Sequence, residues 1–196
     1  MTSTHDASIP VRTAARRAGR SVLGRTAGAL LAAALLALAL AGAALASEPT
    51  NAGDALRDGW YPEQGTLTPQ LVSGGTFGQL WSTSLEGQIY AQPLLVNGEV
   101  LVPTENNRVY ALDPSNGAQK WASTLTGAPW KAGDISCADL APTIGVTSTP
   151  VVDTSTNTAY MTHKAYVSGT SGAARWYMDA INLANGSERE GFPVAL

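Results

Sequence analysis

The pattern Trp-x-Ser/Thr-x-Leu occurs twice, as Trp81–Leu85 and again forty residues later as Trp121–Leu125. What lies between is a run of short strands and tight turns. Ala91–Val96, Val100–Thr104 and Arg108–Leu112 are rich in β-branched and large apolar residues, parted by Asn97-Gly98 and by Glu105-Asn106-Asn107. Asn-Gly tolerates the positive φ angles of a two-residue hairpin, so the first two strands pair directly. Asp113-Pro114-Ser115-Asn116-Gly117 makes the next turn, with Pro fixing φ and Gly free to go left-handed. A strand ending in Trp121 follows, and Tyr90–Trp121 reads as most of one four-stranded antiparallel sheet.

A forty-residue period of short strands is the signature of a β-propeller, in which each repeat supplies one four-stranded blade. A second copy follows. Ser148-Thr149-Pro150-Val151-Val152 answers Ala91-Gln92-Pro93-Leu94-Leu95 at an offset of 57, and Ala180–Gly186 answers Ala111–Gly117 at an offset of 69. The difference places twelve extra residues between the second and third strands of the second blade, over Ala165–Arg175. The expected organisation is therefore a first blade at 80–125, an inter-blade loop at 126–147 and an incomplete second blade at 148–196. A propeller closes with about 4 to 8 blades. Two open blades leave faces uncovered, so the remaining blades or copies of the same chain are the expected partners.

The series Ala111-x-Asp113-x-x-Asn116-Gly117-x-x-x-Trp121 resembles the tryptophan-docking motif of the pyrroloquinoline quinone (PQQ) repeat family, with Asn116 where that motif more often has Thr. The resemblance implies an all-β, quinoprotein alcohol dehydrogenase-like partial propeller, in which this turn and Trp lock one blade against the next. It fades in the second copy, where Glu190 holds the Trp position and Phe192 lies nearby. Such propellers serve both quinone-dependent dehydrogenases and non-catalytic outer-membrane assembly scaffolds. In the alcohol dehydrogenases a Glu three residues before the first-blade Pro contacts the quinone, and Tyr90 stands there in this chain. Those enzymes also set the cofactor over a vicinal disulfide, whereas Ser136-Cys137-Ala138-Asp139-Leu140 offers one Cys. The family's calcium ligands and catalytic Asp belong to later blades. The expectation is a binding or scaffold module with no catalytic, cofactor or metal residues of its own. PQQ and calcium enter only under the alternative, the N-terminal part of an alcohol or sugar dehydrogenase.

Arg12, Arg16, Arg17, Arg20 and Arg25 precede an uncharged stretch, Thr26–Ala46, that ends in Ala44-Leu45-Ala46 before Ser47. This reads as a signal-peptide helix over 1–46, cleaved between Ala46 and Ser47, and predicts a secreted, extracellular protein with no membrane association beyond that signal. Of the chain's 15 acidic and 12 basic residues, the leader holds one and five, leaving a net charge of −7. That excess disfavours nucleic acid and anionic membranes. Residues 47–79 are turn-rich and form an N-terminal arm, in which Trp60-Tyr61 is expected to anchor the arm to a sheet. The single Cys137 forms no internal disulfide.

The remaining candidates each have a structural alternative. Trp130 and Trp176, with Tyr177, could stack sugars or anchor loops, which keeps a carbohydrate or protein ligand open. Asp134 and Asp139 could pair as acid and base. His163 has no partner at metal-ligand spacing and reads as a satisfied strand histidine. Asp153-x-Ser155-x-Asn157 lacks the Gly and distal Glu of a calcium loop and reads as a hairpin turn.

Overall fold

The computed structural model describes residues 47–61, 67–136 and 138–196. The expected leader, with Ala44 and Ala46, and Cys137 lie outside them. Among the described residues no helix is long and apolar enough to cross a membrane.

Two four-stranded antiparallel sheets carry the fold. The first is β1 (Leu94–Val96), β2 (Glu99–Pro103), β3 (Arg108–Leu112) and β4 (Gln119–Thr124), each strand hydrogen-bonded to the next in sequence. A two-stranded ribbon follows, β5 (Trp130–Lys131) and β6 (Thr143–Ile144), with a 3-10 turn at Ala132–Ile135 between its strands. The second sheet is β7 (Val151–Asp153), β8 (Thr158–Tyr166), β9 (Ala174–Asn182) and β10 (Val194–Ala195), again in sequential order. The fold is an all-β partial propeller of four-stranded antiparallel blades. Asn97 and Gly98 take φ of 50° and 72°, as a two-residue hairpin between right-twisted strands requires.

Leu94, Val96, Leu101 and Val109 of the first sheet pack on Val152, Ala159, Met161 and Ile181 of the second, all buried. Trp121 closes this core. Its Nε1–H donates to the Leu183 carbonyl at 2.9 Å, and its ring covers Gly186, whose φ is 74°. The same joint occurs one blade earlier: Trp81 Nε1–H donates to the Pro114 carbonyl at 2.8 Å over Gly117, whose φ is 71°. In both turns the Gly N–H closes onto the residue four back, Asp113 or Asn182, at 2.8 Å. A Cβ at either glycine would overlap the indole, so glycine is required there by both conformation and space.

Several local readings are corrected by the structure. Trp81 and Leu85, ahead of the four strands, lie against the far face of the first sheet, on Val102, Tyr110 and Leu112. The first strand is shorter than Ala91–Val96, beginning at Leu94. The arm holds a short helix, α1 (Pro69–Ser73), which Thr68 caps by accepting from the Leu71 N–H. Trp60 does not anchor the arm: it is 73% exposed. The arm is held by backbone bonds instead, Glu48 N–H to the Leu95 carbonyl and Val152 N–H to the Pro49 carbonyl, both 2.7 Å. The insertion over Ala165–Arg175 is a loop at 167–173 flanked by paired strand: β8 and β9 each run nine residues and take up Ala165, Tyr166, Ala174 and Arg175. The second blade does gain a fourth, two-residue strand, β10.

Replacing Trp121 with Ala should destabilise the protein by about 3–5 kcal/mol in urea unfolding, as for other buried large-to-small changes. Gly186→Ala should also destabilise it. In a double-mutant cycle the glycine change should cost less once Trp121 is Ala, because the overlap is gone. Strict additivity would show that the two residues do not form one joint.

Candidate functional site

The lengthened β8–β9 hairpin sets the site. Blade strands β2 and β3 have five residues, so nine-residue β8 and β9 project roughly 13 Å further at about 3.3 Å per residue. The β5–β6 ribbon lies beside this extension, joined to it by a bridge between Pro129 and Ala165. Together they bring Trp130 and Trp176 to one place, which sequence separation alone could not show.

Neither indole is simply a free stacking platform. Lys164, paired across the hairpin with Trp176, places Nζ 4.7 Å from the Trp130 ring centroid and 5.0 Å from that of Trp176. The ammonium is thus bracketed by two π faces, a contact worth about 0.5–2 kcal/mol depending on solvation. Trp176 is 39% exposed. Tyr177 is used internally, stacked on His163 at 5.1 Å.

Asp134 and Asp139 do not form an acid–base pair. Asp134 accepts from the Tyr166 hydroxyl at 2.5 Å, while the Asp139 backbone carbonyl accepts from the Tyr90 hydroxyl at 2.9 Å. Tyr166 also accepts from the Lys131 N–H, and burial, reinforced by Asp134, raises its phenol above the usual range. These contacts fasten the 3-10 turn onto the hairpin. His163 is closed from solvent: Nδ1 meets Asp179 at 2.5 Å and Nε2 meets the Thr126 carbonyl at 2.9 Å. Both ring nitrogens are thus engaged, one by a carboxylate and one by a backbone carbonyl. The pair ties the inter-blade loop to β8 and is reachable by no substrate as built.

A second buried carboxyl, Glu105, was not legible as functional or structural in the sequence. Its Oε2 accepts from the Gly145 N–H at 2.5 Å and from the Thr147 hydroxyl at 3.1 Å, which holds β6 against the β2–β3 loop. Its Oε1 and the Asn107 Oδ1 have no hydrogen-bond partner among the described residues. Burial raises Glu105 above the ordinary carboxyl value, against the lowering by those two donors. In the docking turn, Ala111 is buried beside Trp121, Asn116 Oδ1 accepts from the Ala118 N–H, and Asp113 accepts from the Ser115 hydroxyl and N–H. The Ser115 bonds lower the Asp113 carboxyl. Asp153 makes the same bonds with Ser155, adds the Thr156 hydroxyl, and is lowered likewise, which accounts for its turn without a metal.

The position at which the dehydrogenase resemblance expects a quinone-contacting Glu is Tyr90. Its phenol is already bonded to the Asp139 carbonyl. Among the described residues no group of three or more His, Cys, Asp or Glu is placed to hold a metal ion.

Blade geometry, glycine-seated indoles and sequential strand order define a PQQ-repeat type of propeller segment. The family model described as outer membrane protein assembly factor BamB matches residues 64–195, and the chain belongs to that family. An outer membrane protein assembly factor BamB from Burkholderia pseudomallei (strain K96243) is 32% identical over 78 residues, 37% of this chain. The matched part spans 20% of that relative's length. The crystal structure of BamB from Moraxella catarrhalis aligns with 57% of this chain and 28% of that one, at 22% identity and a TM-score of 0.35.

Glu105 gives a pH signature. A carboxyl raised in the folded state contributes stability that is complete below its ordinary value of 4.5 and is lost as pH rises through the raised value. Glu105→Gln cannot ionise, so its melting temperature relative to wild type should climb as pH rises above the ordinary value of 4.5, levelling off once the wild-type carboxyl is ionised in both states. A pH-independent difference would mean that burial of the charge costs nothing here.

Proposed function

We propose that this chain is an exported, non-catalytic binding or scaffold module, whose two blades are covered by further blades of the same kind. The observation that carries this is a contrast at equivalent positions. Leu94, Leu101 and Ala111 lie abreast in the first sheet, and Val151, Tyr160 and Ala180 lie abreast in the second. Leu94 and Leu101 are 0% and 1% exposed beneath the second sheet, whereas Val151 and Tyr160 are 45% and 37% exposed. Ser148, Thr149, Thr162 and Met178 complete a shallow apolar recess around them. The second blade thus presents the face that the first blade buries. An extra sheet seated there would remove the kind of apolar surface that drives association, about 25 cal/mol per Å².

Export is supported by the basic and uncharged leader. A protein partner is supported by the relatives' name, outer membrane protein assembly factor. The non-catalytic reading is supported by the buried His163–Asp179 pair and by Tyr90 at the quinone-contact position.

Light scattering on residues 47–196 should show self-association. Val151→Lys with Tyr160→Lys should give a folded monomer, as judged by unchanged far-ultraviolet circular dichroism. A stable, well-folded wild-type monomer would overturn the proposal. Titration with PQQ and calcium should produce no saturable change in absorbance or tryptophan fluorescence. A saturable change would favour the dehydrogenase alternative.

A further inference from the structure

Residues 47–196 carry seven cations, and three of them lie where the ribbon meets the lengthened hairpin: Lys131 on β5, Lys164 on β8 and Arg175 on β9. The others have internal roles where hydrogen bonds or ion pairs reach them. Lys120 pairs with Glu99 at 3.3 Å, Arg108 donates to the Thr124 hydroxyl, and Arg189 donates to the Thr156 and Asn157 carbonyls. Lys164 is different. It is held by two rings, which offer no lone pair, and no carboxylate of the described residues lies within ion-pair distance of it. Trp130 Nε1–H, on the ring beneath it, is buried with no acceptor among the described residues. Donors left so are costly unless something accepts from them.

We propose that the β8–β9 hairpin, with Trp130 of the ribbon beside it, binds an acidic polysaccharide, a uronate carboxylate accepting from Lys164 while a sugar ring lies on the exposed part of Trp176. The rings position the ammonium rather than neutralise it, so its charge remains available to a carboxylate. Lys131 and Arg175, next in sequence to the two indoles, are exposed; strand alternation puts them on the opposite face, where they raise the local positive charge of an otherwise acidic chain without touching the sugar. An extended peptide is less well served. The outer edge of β9 beside Trp176 is already covered by Val194 and Ala195, and the Leu196 N–H occupies the Trp176 carbonyl. Strand addition therefore has no free backbone at the site, whereas a stacked sugar needs none.

The inference rests on the binding-module reading, yet it fails separately, since loss of glycan binding would leave the association state set by Val151 and Tyr160 unchanged. The test is calorimetric titration of residues 47–196 with a galacturonate trimer, an uncharged galactose trimer and polyglutamate. The galacturonate should bind saturably, with the uncharged trimer at least about tenfold weaker, the free-energy equivalent of one charge-assisted hydrogen bond. Lys164→Gln and Trp176→Ala should each weaken galacturonate binding by about tenfold or more, and Trp60→Ala, far from the ribbon in sequence, should leave it unchanged. Should Lys164→Gln fail to fold, the exposed Trp176→Ala and the uncharged trimer carry the test. Equal binding of both trimers, wild-type affinity in Trp176→Ala, or displacement of the galacturonate by polyglutamate at equal carboxylate concentration would each overturn it.

Discussion

An indole laid over a glycine holds the two blades in register. Trp121 reaches across the core, donates to the Leu183 carbonyl and fills the space that any side chain at position 186 would occupy. The joint joins two effects that separately are modest: a hydrogen bond of about 1 kcal/mol net and the burial of a large ring. Its geometry is exacting because Gly186 must be left-handed for the turn to close and bare for the ring to approach. Trp81 over Gly117 repeats it. The second copy has no indole to pass on, and Phe192 instead packs edge-on against Tyr160 at 6.1 Å, on the face that remains open.

With the blades fixed, buried polar groups rather than apolar ones shape the surface between them. Glu105, Asn107, His163 and Asp179 are all closed from solvent, and most of their bonds end on loops: Gly145, Thr147, Gly127, Thr126. Each buried donor or acceptor specifies where a loop must lie, since misplacing it would strand a polar atom. The inter-blade segment is therefore pinned rather than packed. That pinning seats the β5–β6 ribbon beside the long hairpin and brings Trp130 to Lys164.

Much of the blade architecture was legible because it rests on local chemistry. Asn97-Gly98 and the Asp113–Gly117 turn announce themselves by residue type, and the forty-residue recurrence of Trp-x-Ser/Thr-x-Leu marks the blade period. The family and the propeller class followed from these. What could not be read depended on pairing across long separations. Ala165–Arg175, rich in small and polar residues around Gly169, Ser171 and Gly172, reads as loop, and its middle is one; the pairing of Ala165 and Tyr166 with Arg175 and Ala174 at its two ends carries no such local signal. Trp60 reads as an anchor from its size, but the arm finds its hold through backbone groups that sequence does not distinguish. Lys164 carries no local signal at all; its setting arises only when residues 130, 164 and 176 converge.

The arm has a consequence for the order in which the chain can complete itself. Its backbone near Glu48 and Pro49 bonds to the innermost strand of each sheet, at Leu95 and at Val152. The second of these partners lies about a hundred residues downstream, so a chain emerging from its N-terminus has the clasp long before it has the catch. Until Val152 arrives, the arm is held to the first blade alone, by Glu48 N–H on the Leu95 carbonyl and Ala52 N–H on the Gln92 Oε1. That interval is when an incomplete ring is most open to capture by a helper protein or by another copy, and its length is written into the separation of the arm from the second sheet.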